Sequence, residues 1–512
     1  MTETTPATVS SSDILRSVRR LRLLSVALEV TIGLAVAGSV LAFGAVHPFS
    51  FGPLWTACVL AAALALARVM AKSGLRRRVG SHRVALHSSG RWLVLDPGPD
   101  HLSLGWSCDL GRATLPRGPL LFPGLVIVGL ASLQLVPLPP MGFPITASPA
   151  GTRLGLAFVA AFLMLHQAAA LQDPAARRRF RRMLAWLGAL LAAVALGQAA
   201  GGARGIYGFF QPWEGDSFYG PFVNRNHFAG YMLLVVPVAL GLLGEAWRAY
   251  GRSVGDRPNA RRRLLALSTP AGSALLLAAL PPLAGIAALV ASTSRGGILA
   301  FGGGLVLAAI GLRSRRGTLP WGAALVFAMM TLSWFGLQRL EDRFARANKE
   351  AVGRTMIWRE SLAHMRGTRW ITGHGLNAFA DAVSRVRAWR LPQGATPWPE
   401  PVRAILESDA RVGYLAPADL PEVGWYREAH NDYVQLLVEM GLPGLGIGLW
   451  AAVAALAAAR RDPWIFGALA GVLMHVVVDF DLQVPAVAAL FVVLAAQPSL
   501  EPRRVGGGPP VS

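Results

Sequence analysis

Long apolar stretches alternate with arginine clusters along the whole sequence, and this alternation limits the folds open to the chain. Hydrophobic residues make up 53% of the 512 residues, and charged residues only 15%. A membrane-crossing helix needs about 20 mostly apolar residues. The stretches that meet or approach this length lie at 23–46, 52–71, 119–138, 152–172, 183–200, 227–247, 272–291, 297–312, 320–337, 441–459, 463–480 and 484–497. The pattern predicts an all-α, polytopic membrane bundle of about 12 spanning helices. The last stretch is short enough to be tilted, re-entrant or peripheral.

The arginine clusters indicate which loops stay in the cytoplasm. The formal net charge is +21, and all cations except Lys72 and Lys349 are arginine. Clusters precede the first stretch and follow every even-numbered one, at 16–22, 76–78, 177–182, 248–263, 313–316, 460–461 and 503–504. Because positive residues remain on the cytoplasmic side, both termini are expected in the cytoplasm. The positive charge is therefore explained by the orientation of the helices in the membrane, and no nucleic-acid partner is expected.

Span positions and loop lengths predict the organisation of the chain. Its parts are a cytoplasmic N-terminal segment (1–22), spans one to nine (23–337, with a cytoplasmic loop at 72–118), a long periplasmic loop (338–440), spans ten to twelve (441–497) and a cytoplasmic tail (498–512). The cytoplasmic loop contains a strand-like run, Arg91–Leu95. A loop as long as 338–440 is usually functional or a small domain of its own.

Three polar clusters fall on the outer side in this topology: Phe222–Tyr231, Ser292–Gly297 and His430–Tyr433. Two of them hold arginines, Arg225 and Arg295, on the side where the positive-inside rule disfavours cations. These arginines either snorkel to lipid phosphates or form a shared anion site, because the guanidinium fork fits phosphate oxygens. Asn224 is suited to cap a helix start, where free backbone N–H groups also favour anions. Gly296 would let the backbone approach a ligand closely.

His430 is the candidate general base, since histidine titrates near neutral pH. The alternative is a satisfied histidine at the membrane interface. Asn431 or Asp432 would cap the helix that follows. Asp432 is also a candidate to orient His430, although adjacent residues of one helix do not naturally face each other. No HExxH spacing indicates a metal, so no metal or cofactor is expected.

Other polar and aromatic residues of the outer side are weaker candidates. His227 is expected to pack within span six, and Asp479 and Asp481 are either functional carboxylates or groups at the water interface. The segment 353–362 has the pattern of an amphipathic helix at the interface, followed by a turn at 373–377. The tryptophans of the long loop form an interface belt or platforms for sugar rings.

Taken together, these motifs resemble the O-antigen ligase and polymerase superfamily. The principal matches are Phe222–Tyr231, Ser294–Gly297 and Ala429–Tyr433. Supporting matches, in family order along the whole chain, are Phe43–Pro48, Leu133–Pro139 and Asp479–Pro485. Members are inner-membrane glycosyltransferases of about twelve helices that take glycans from undecaprenyl pyrophosphate on the periplasmic face. Some relatives carry a C-terminal repeat domain, which does not follow here before Ser512.

The resemblance implies an inverting, metal-independent reaction without a cofactor. Arg225 and Arg295 would bind the donor pyrophosphate, His430 would be catalytic, and Asn224, Ser294, Gly296 and Asp432 would support them. The acceptor would be lipid A-core in a ligase, which is the favoured hypothesis, or another lipid-linked glycan in a polymerase. An alternative of another class is a transporter of lipid-linked glycans. Such a transporter would place polar groups at the bilayer midplane and often contain inverted repeats.

Overall fold

The structure is a computed structural model that describes residues 11–79, 84–88, 91–96, 106–109, 118–137, 144–212, 218–255, 259–312, 347–387 and 428–497. Helices dominate the described residues. The first nine are α1 (Ser11–Leu41), α2 (Pro48–Val79), α3 (Leu121–Gln134), α4 (Pro149–Ala170), α5 (Pro174–Ala200), α6 (Arg225–Val254), α7 (Ala260–Ala266), α8 (Pro270–Ala291) and α9 (Arg295–Leu312). The others are α10 (Ala347–Ala363), α11 (Arg369–Thr372), α12 (Phe379–Arg387), α13 (Asp432–Ala459), α14 (Pro463–His475) and α15 (Pro485–Ala495).

Eleven of the twelve apolar stretches coincide with helices. Seven helices are long and apolar enough to cross a membrane: α1, α2, α4, α5, α6, α8 and α13. Four shorter apolar helices, α3, α9, α14 and α15, match four further stretches. The stretch at 320–337 lies outside the described residues. The chain is therefore a multi-helix membrane protein by helix length and composition, while the number of twelve crossings remains a prediction.

A small sheet interrupts the helical pattern in the segment predicted to be a cytoplasmic loop. It contains β1 (Val84–Ser88), β2 (Arg91–Asp96) and β3 (Trp106–Asp109), in that order. β1 pairs antiparallel with β2, and β2 pairs parallel with β3. The strand predicted at Arg91–Leu95 is thus confirmed. The strands lie in this connecting segment, while the apolar stretches within the described residues are helical, as predicted for an all-α bundle.

Helix α6 is the centre of the bundle. In its apolar window 78% of the residues are buried, whereas the values for the other long helices are 17–44%. Small residues on neighbouring helices allow this packing: a Cβ at Gly188 of α5 would lie 2.3 Å from Val235, and one at Gly285 of α8 would lie 2.7 Å from Val236. Because α6 begins at Arg225, the core of the fold fixes the position of one predicted functional cluster.

The short stretch at 484–497 is not peripheral. Its helix, α15, has only 11 residues. All of them except Val492 are buried, and eight of these buried residues belong to the main hydrophobic cluster. A helix buried on every side belongs to the interior of a bundle. Of the three alternatives for this stretch, the peripheral one is therefore wrong.

The described part of the long loop packs against α13. A turn at 373–377 follows α11, as predicted, with backbone N–H groups of His374 and Gly375 donating to carbonyls of Val438 and Glu439. The buried Glu439 carboxylate accepts from the N–H groups of Asn377 and Phe379 at the start of α12. The loop is thereby held over the first turns of α13, close to His430.

Candidate active site

Each of the three predicted polar clusters forms the start of a helix. Asn224 caps α6, because its side chain accepts from the N–H of Asn226 at 2.9 Å. Ser294 accepts from the N–H of Gly297 at 3.3 Å in the first turn of α9. Asn431 caps α13 by accepting from Tyr433 and Val434 at 2.9 and 3.0 Å. The predicted cap at Asn224 is confirmed, and of Asn431 and Asp432 it is Asn431 that caps α13.

Helices α6 and α9 begin side by side. A Cβ at Gly297 would lie 2.6 Å from the Cβ of Ala229, and one at Gly296 would lie 3.0 Å from the His475 ring. These glycines therefore let α9 approach α6 and α14. The sequence-based role for Gly296, close approach of its backbone to a ligand, is replaced by close packing of helices, because protein atoms fill the space beside it. Arg225 and Arg295 are both half-buried first residues of their helices.

Asp479 lies between the start of α6, the turn before α13 and helix α10. Its side chain is only 1% exposed, yet it faces three basic groups from three different elements. Oδ1 lies 3.7 Å from Nε2 of His227 and 4.0 Å from Nδ1 of His430. Oδ2 lies 3.7 Å from the guanidinium of Arg354. A carboxylate buried in this way is stabilised by the basic groups that face it, of which the Arg354 guanidinium is a permanent cation, so it is not a group at the water interface.

Phe480 separates the two histidines that face Asp479. Its ring centroid lies 4.6 Å from that of His227 and 4.9 Å from that of His430, both in edge-on geometry. His227 is buried in α6, as predicted, and it also faces the carboxylate. The Phe480 ring therefore holds both imidazole rings beside Asp479 by packing, and no hydrogen bond to their nitrogen atoms is needed.

Asp432 does not orient His430. One oxygen of its buried carboxylate accepts from the N–H of Leu482 at 3.0 Å, and its own N–H donates to the carbonyl of Val476 at 3.0 Å. Asp432 thus ties the start of α13 to the segment that carries Asp479. The candidate orienting role of Asp432 is corrected: adjacent residues of a helix point apart, and Asp479 is the acid that faces His430.

Asp481 is the second buried acid of the segment that carries Asp479. It is fully buried, its Oδ2 is hydrogen-bonded to Nδ1 of His475, and it packs directly against Gly230 of α6. A side chain at position 230 would collide with this carboxylate, since its Cβ would lie 2.2 Å from Oδ2. Gly230 therefore allows the second acid of the Asp479–Asp481 pair to enter the core.

His430 occupies a constrained turn. Its φ of 51° is in the left-handed region, which is uncommon for residues other than glycine but more frequent for histidine. The carbonyl of the preceding Ala429 accepts from the indole N–H of Trp358 at 2.9 Å, and its N–H donates to Gln435 at 3.1 Å. Strain of this kind is held at functional sites by the surrounding contacts.

Burial lowers the pKa of His430 below its ordinary value. The charge of Asp479 acts in the opposite direction and raises it, while Arg354 and His227 lower it further. His430 is therefore neutral at pH 7 and able to accept a proton. Its side chain is 31% exposed, which leaves it accessible from outside the bundle.

Sequence reasoning missed several contributors to this site. Arg354 and Trp358 lie one turn apart on α10, which contains the predicted amphipathic segment. Arg354 faces Asp479, and Trp358 donates to the carbonyl of Ala429 beside His430. Asp479 was weighed against a position at the water interface, and the role of His475 as partner of Asp481 was not foreseen. The sequence did contain one signal that could have revealed this part of the site, the Asp479–Asp481 pair, because carboxylates in an apolar stretch are functional candidates by default.

His227, Asp479 and Asp481 could together hold a metal ion. They offer one ligand atom each within 4.8 Å of one another, and they are the set with this property among the residues that the structure describes. Both carboxylates already have partners, Arg354 for Asp479 and His475 for Asp481. Because these partners compensate the acidic charge, we interpret the cluster as an ionic network that positions side chains. Metal independence itself remains a prediction.

Comparison with known families identifies part of the chain. The O-antigen ligase family matches residues 280–449, a range that contains Arg295, Arg354 and His430. Arg225 and Asp479 lie outside the matched range. No curated protein matches the chain significantly.

Proposed function

We propose, from the premise that residues 280–449 are an O-antigen ligase domain, that this protein transfers a glycan from undecaprenyl pyrophosphate to an acceptor hydroxyl. The reaction takes place on the periplasmic face of a bacterial inner membrane, and the favoured acceptor is lipid A-core. The observation that carries the proposal is the meeting of three helix starts along the segment 475–479. Asp479 faces His227 of α6 and His430 before α13, and Gly296 of α9 packs against His475 and Val478. This meeting brings the elements that begin with Arg225 and Arg295 to the turn that carries His430.

Arg225 and Arg295 bind the pyrophosphate of the donor. Each is the first residue of a helix whose partial positive charge at the N-terminus adds to that of the guanidinium. The donor's leaving group gains charge as the glycosidic bond breaks. Fixed cations and backbone N–H groups placed at that charge lower the barrier without reorganisation during the reaction.

His430 accepts the proton of the acceptor hydroxyl. The hydroxyl oxygen attacks the anomeric carbon, the bond from that carbon to the pyrophosphate oxygen breaks, and undecaprenyl pyrophosphate leaves with both bonding electrons. Attack opposite the leaving group inverts the anomeric centre. The imidazolium that forms is stabilised by Asp479, which lies 4.0 Å from Nδ1. Asp479 is therefore a positioning residue that acts through His430.

Replacing Asp479 with asparagine tests this positioning role through the pH dependence of the rate. The negative charge of Asp479 raises the pKa of His430, so its removal lowers that pKa further. A general base loses activity as the pH falls through its pKa. In Asp479→Asn the acid limb of the kcat/KM profile should therefore move to lower pH, and the plateau should fall because the imidazolium is less stabilised.

Asp381→Asn is the matched control, since Asp381 is a half-buried acid of the same loop as His430 and is not among the charged groups that act on His430. It should leave both the limb and the plateau unchanged. An acid limb that stays in place or moves to higher pH in Asp479→Asn would show that Asp479 does not act through His430.

Removal of divalent cations should leave the transfer rate unchanged. The carboxylates of the His227, Asp479 and Asp481 cluster already face Arg354 and His475, so no cation is needed to neutralise them. The measurement is glycan transfer by the purified protein before and after dialysis against EDTA. A rate lost in EDTA and restored by Mg²⁺ or Mn²⁺ would refute metal independence.

Deletion of the protein, followed by gel analysis of cell-surface glycans, distinguishes the possible acceptors. Loss of all polymer from lipid A, while lipid-linked polymer accumulates, is expected for a ligase. Retention of a single repeat on lipid A would instead indicate a polymerase. This experiment decides the acceptor, which the shared donor chemistry of the two enzymes leaves open.

A further inference from the structure

A cavity lies at the end of the bundle opposite the candidate active site. Its volume is about 880 Å³, and α5, α6, α8 and α14 line it. On α6 the lining runs from Val238 to Arg252, whereas the active site contacts the first turn at His227. Twenty residues of helix separate Arg225 from Glu245, which corresponds to about 30 Å, the thickness of the hydrocarbon core of a bilayer. If α6 spans the membrane, this cavity opens at the other surface.

The cavity carries an excess of positive charge. Five exposed arginines line it, and none of them has an ion-pair partner within the described part of the chain: Arg178, Arg182, Arg248, Arg252 and Arg461. Two acids also line it, Glu245 and Asp462. Asp462 is already paired with Arg181 at 2.7 Å, so it does not neutralise the exposed arginines.

Arg181 adds a buried hydrogen-bond donor to this positively charged cavity. The residue is only 7% exposed, and it bonds to Asp462 through Nη1 and to Gln497 through Nε. Its Nη2 has no hydrogen-bond partner although it is buried. A buried unsatisfied donor is costly, and an anionic oxygen placed in the cavity would supply the missing acceptor.

The other side of the cavity is apolar. Trp186 of α5 and Leu277 of α8 are about half exposed, and Val238, Ala278 and Pro281 continue this surface. Exposed apolar side chains beside a group of arginines match an amphiphile that has an anionic head and a hydrocarbon tail. Inorganic phosphate would satisfy the arginines but would leave the apolar wall uncovered.

We propose that this cavity binds the headgroup of an anionic phospholipid of the cytoplasmic leaflet. The phosphodiester lies among the exposed arginines and Nη2 of Arg181, and an acyl chain covers Trp186 and Leu277. Basic pockets between membrane helices on the cytoplasmic side are suited to anionic headgroups. The bound lipid would brace α5 against α14 at the Arg181–Asp462 contact.

Thermal unfolding of the delipidated full-length protein in detergent tests the proposal without any glycan substrate. Dioleoylphosphatidylglycerol should raise the unfolding temperature, whereas dioleoylphosphatidylcholine and inorganic phosphate should not. The triple variant Arg178→Gln, Arg248→Gln, Arg252→Gln should bind the anionic lipid at least about tenfold more weakly, because each arginine near a headgroup contributes substantially.

The matched control removes three arginines at the end of α2 that do not line this cavity: Arg76→Gln, Arg77→Gln, Arg78→Gln. It should bind the lipid like the unmodified protein. Equal weakening in both triple variants would show that the arginines act only through general charge and would overturn the proposal. Equal stabilisation by phosphatidylcholine or by inorganic phosphate would overturn it as well. Failure of this test leaves the glycan-transfer proposal unaffected.

Discussion

Replacing His430 with alanine is expected to lower the rate of glycan transfer by about a hundredfold or more, since a positioned general base contributes about 10² to 10⁴. His430 is the imidazole that combines exposure at the site with a carboxylate, Asp479, to stabilise its charged form. Because its pKa is lowered by burial, it is ready to accept a proton at neutral pH. Alanine removes the base and keeps the helix cap at Asn431.

The measurement is transfer of a radiolabelled glycan by purified protein at saturating donor. His364→Ala is the control, because His364 lies in the same predicted periplasmic loop and its ring bonds to the carbonyl of Glu360. It should retain the unmodified rate. Normal transfer by His430→Ala, with correct membrane insertion of the variant, would exclude His430 as the base.

Replacing Arg225 or Arg295 with alanine should cost a factor of about 10² to 10³ each, the usual effect of removing one group that stabilises transition-state charge. Both residues begin helices that meet beside Ala229 and Gly297. Lysine at either position keeps the charge but loses the planar fork that matches phosphate oxygens. Arg295→Lys is therefore expected to retain more activity than Arg295→Ala and less than the unmodified protein.

Arg366→Ala is the control for both arginines. Arg366 lies in the loop predicted to be periplasmic, and its guanidinium bonds only to the carbonyl of Ala363 among the described residues. It should transfer glycan normally. If Arg225→Ala and Arg295→Ala also transferred normally, the two arginines would be better explained as residues that snorkel to lipid phosphates.

Much of the fold could be predicted from the sequence because two independent patterns agree. Apolar stretches of spanning length and arginine clusters after every second stretch place the helices, and eleven stretches coincide with helices of the structure. The burial of α15 could not be predicted from its composition. An apolar helix of 11 residues has the same composition at the edge of a bundle and in its core.

The site was predictable as separate motifs and not as an assembly. Asn224 is recognisable as a cap because side-chain caps act within a few residues. The contact of Asp479 with His227, His430 and Arg354 joins positions up to about 250 residues apart, so only the tertiary packing reveals it. For the same reason Gly296 was expected to face a ligand, whereas the structure places it against His475.

The most direct test of the central claim is a transfer assay with the purified protein in lipid nanodiscs, using undecaprenyl-pyrophosphate-linked glycan and lipid A-core. Our account predicts that one molecule of undecaprenyl pyrophosphate is released for each glycan joined to lipid A-core. It also predicts that Arg225→Ala, Arg295→Ala and His430→Ala release almost none. Donor that remains uncleaved while it crosses the bilayer would indicate a transporter and would contradict the account.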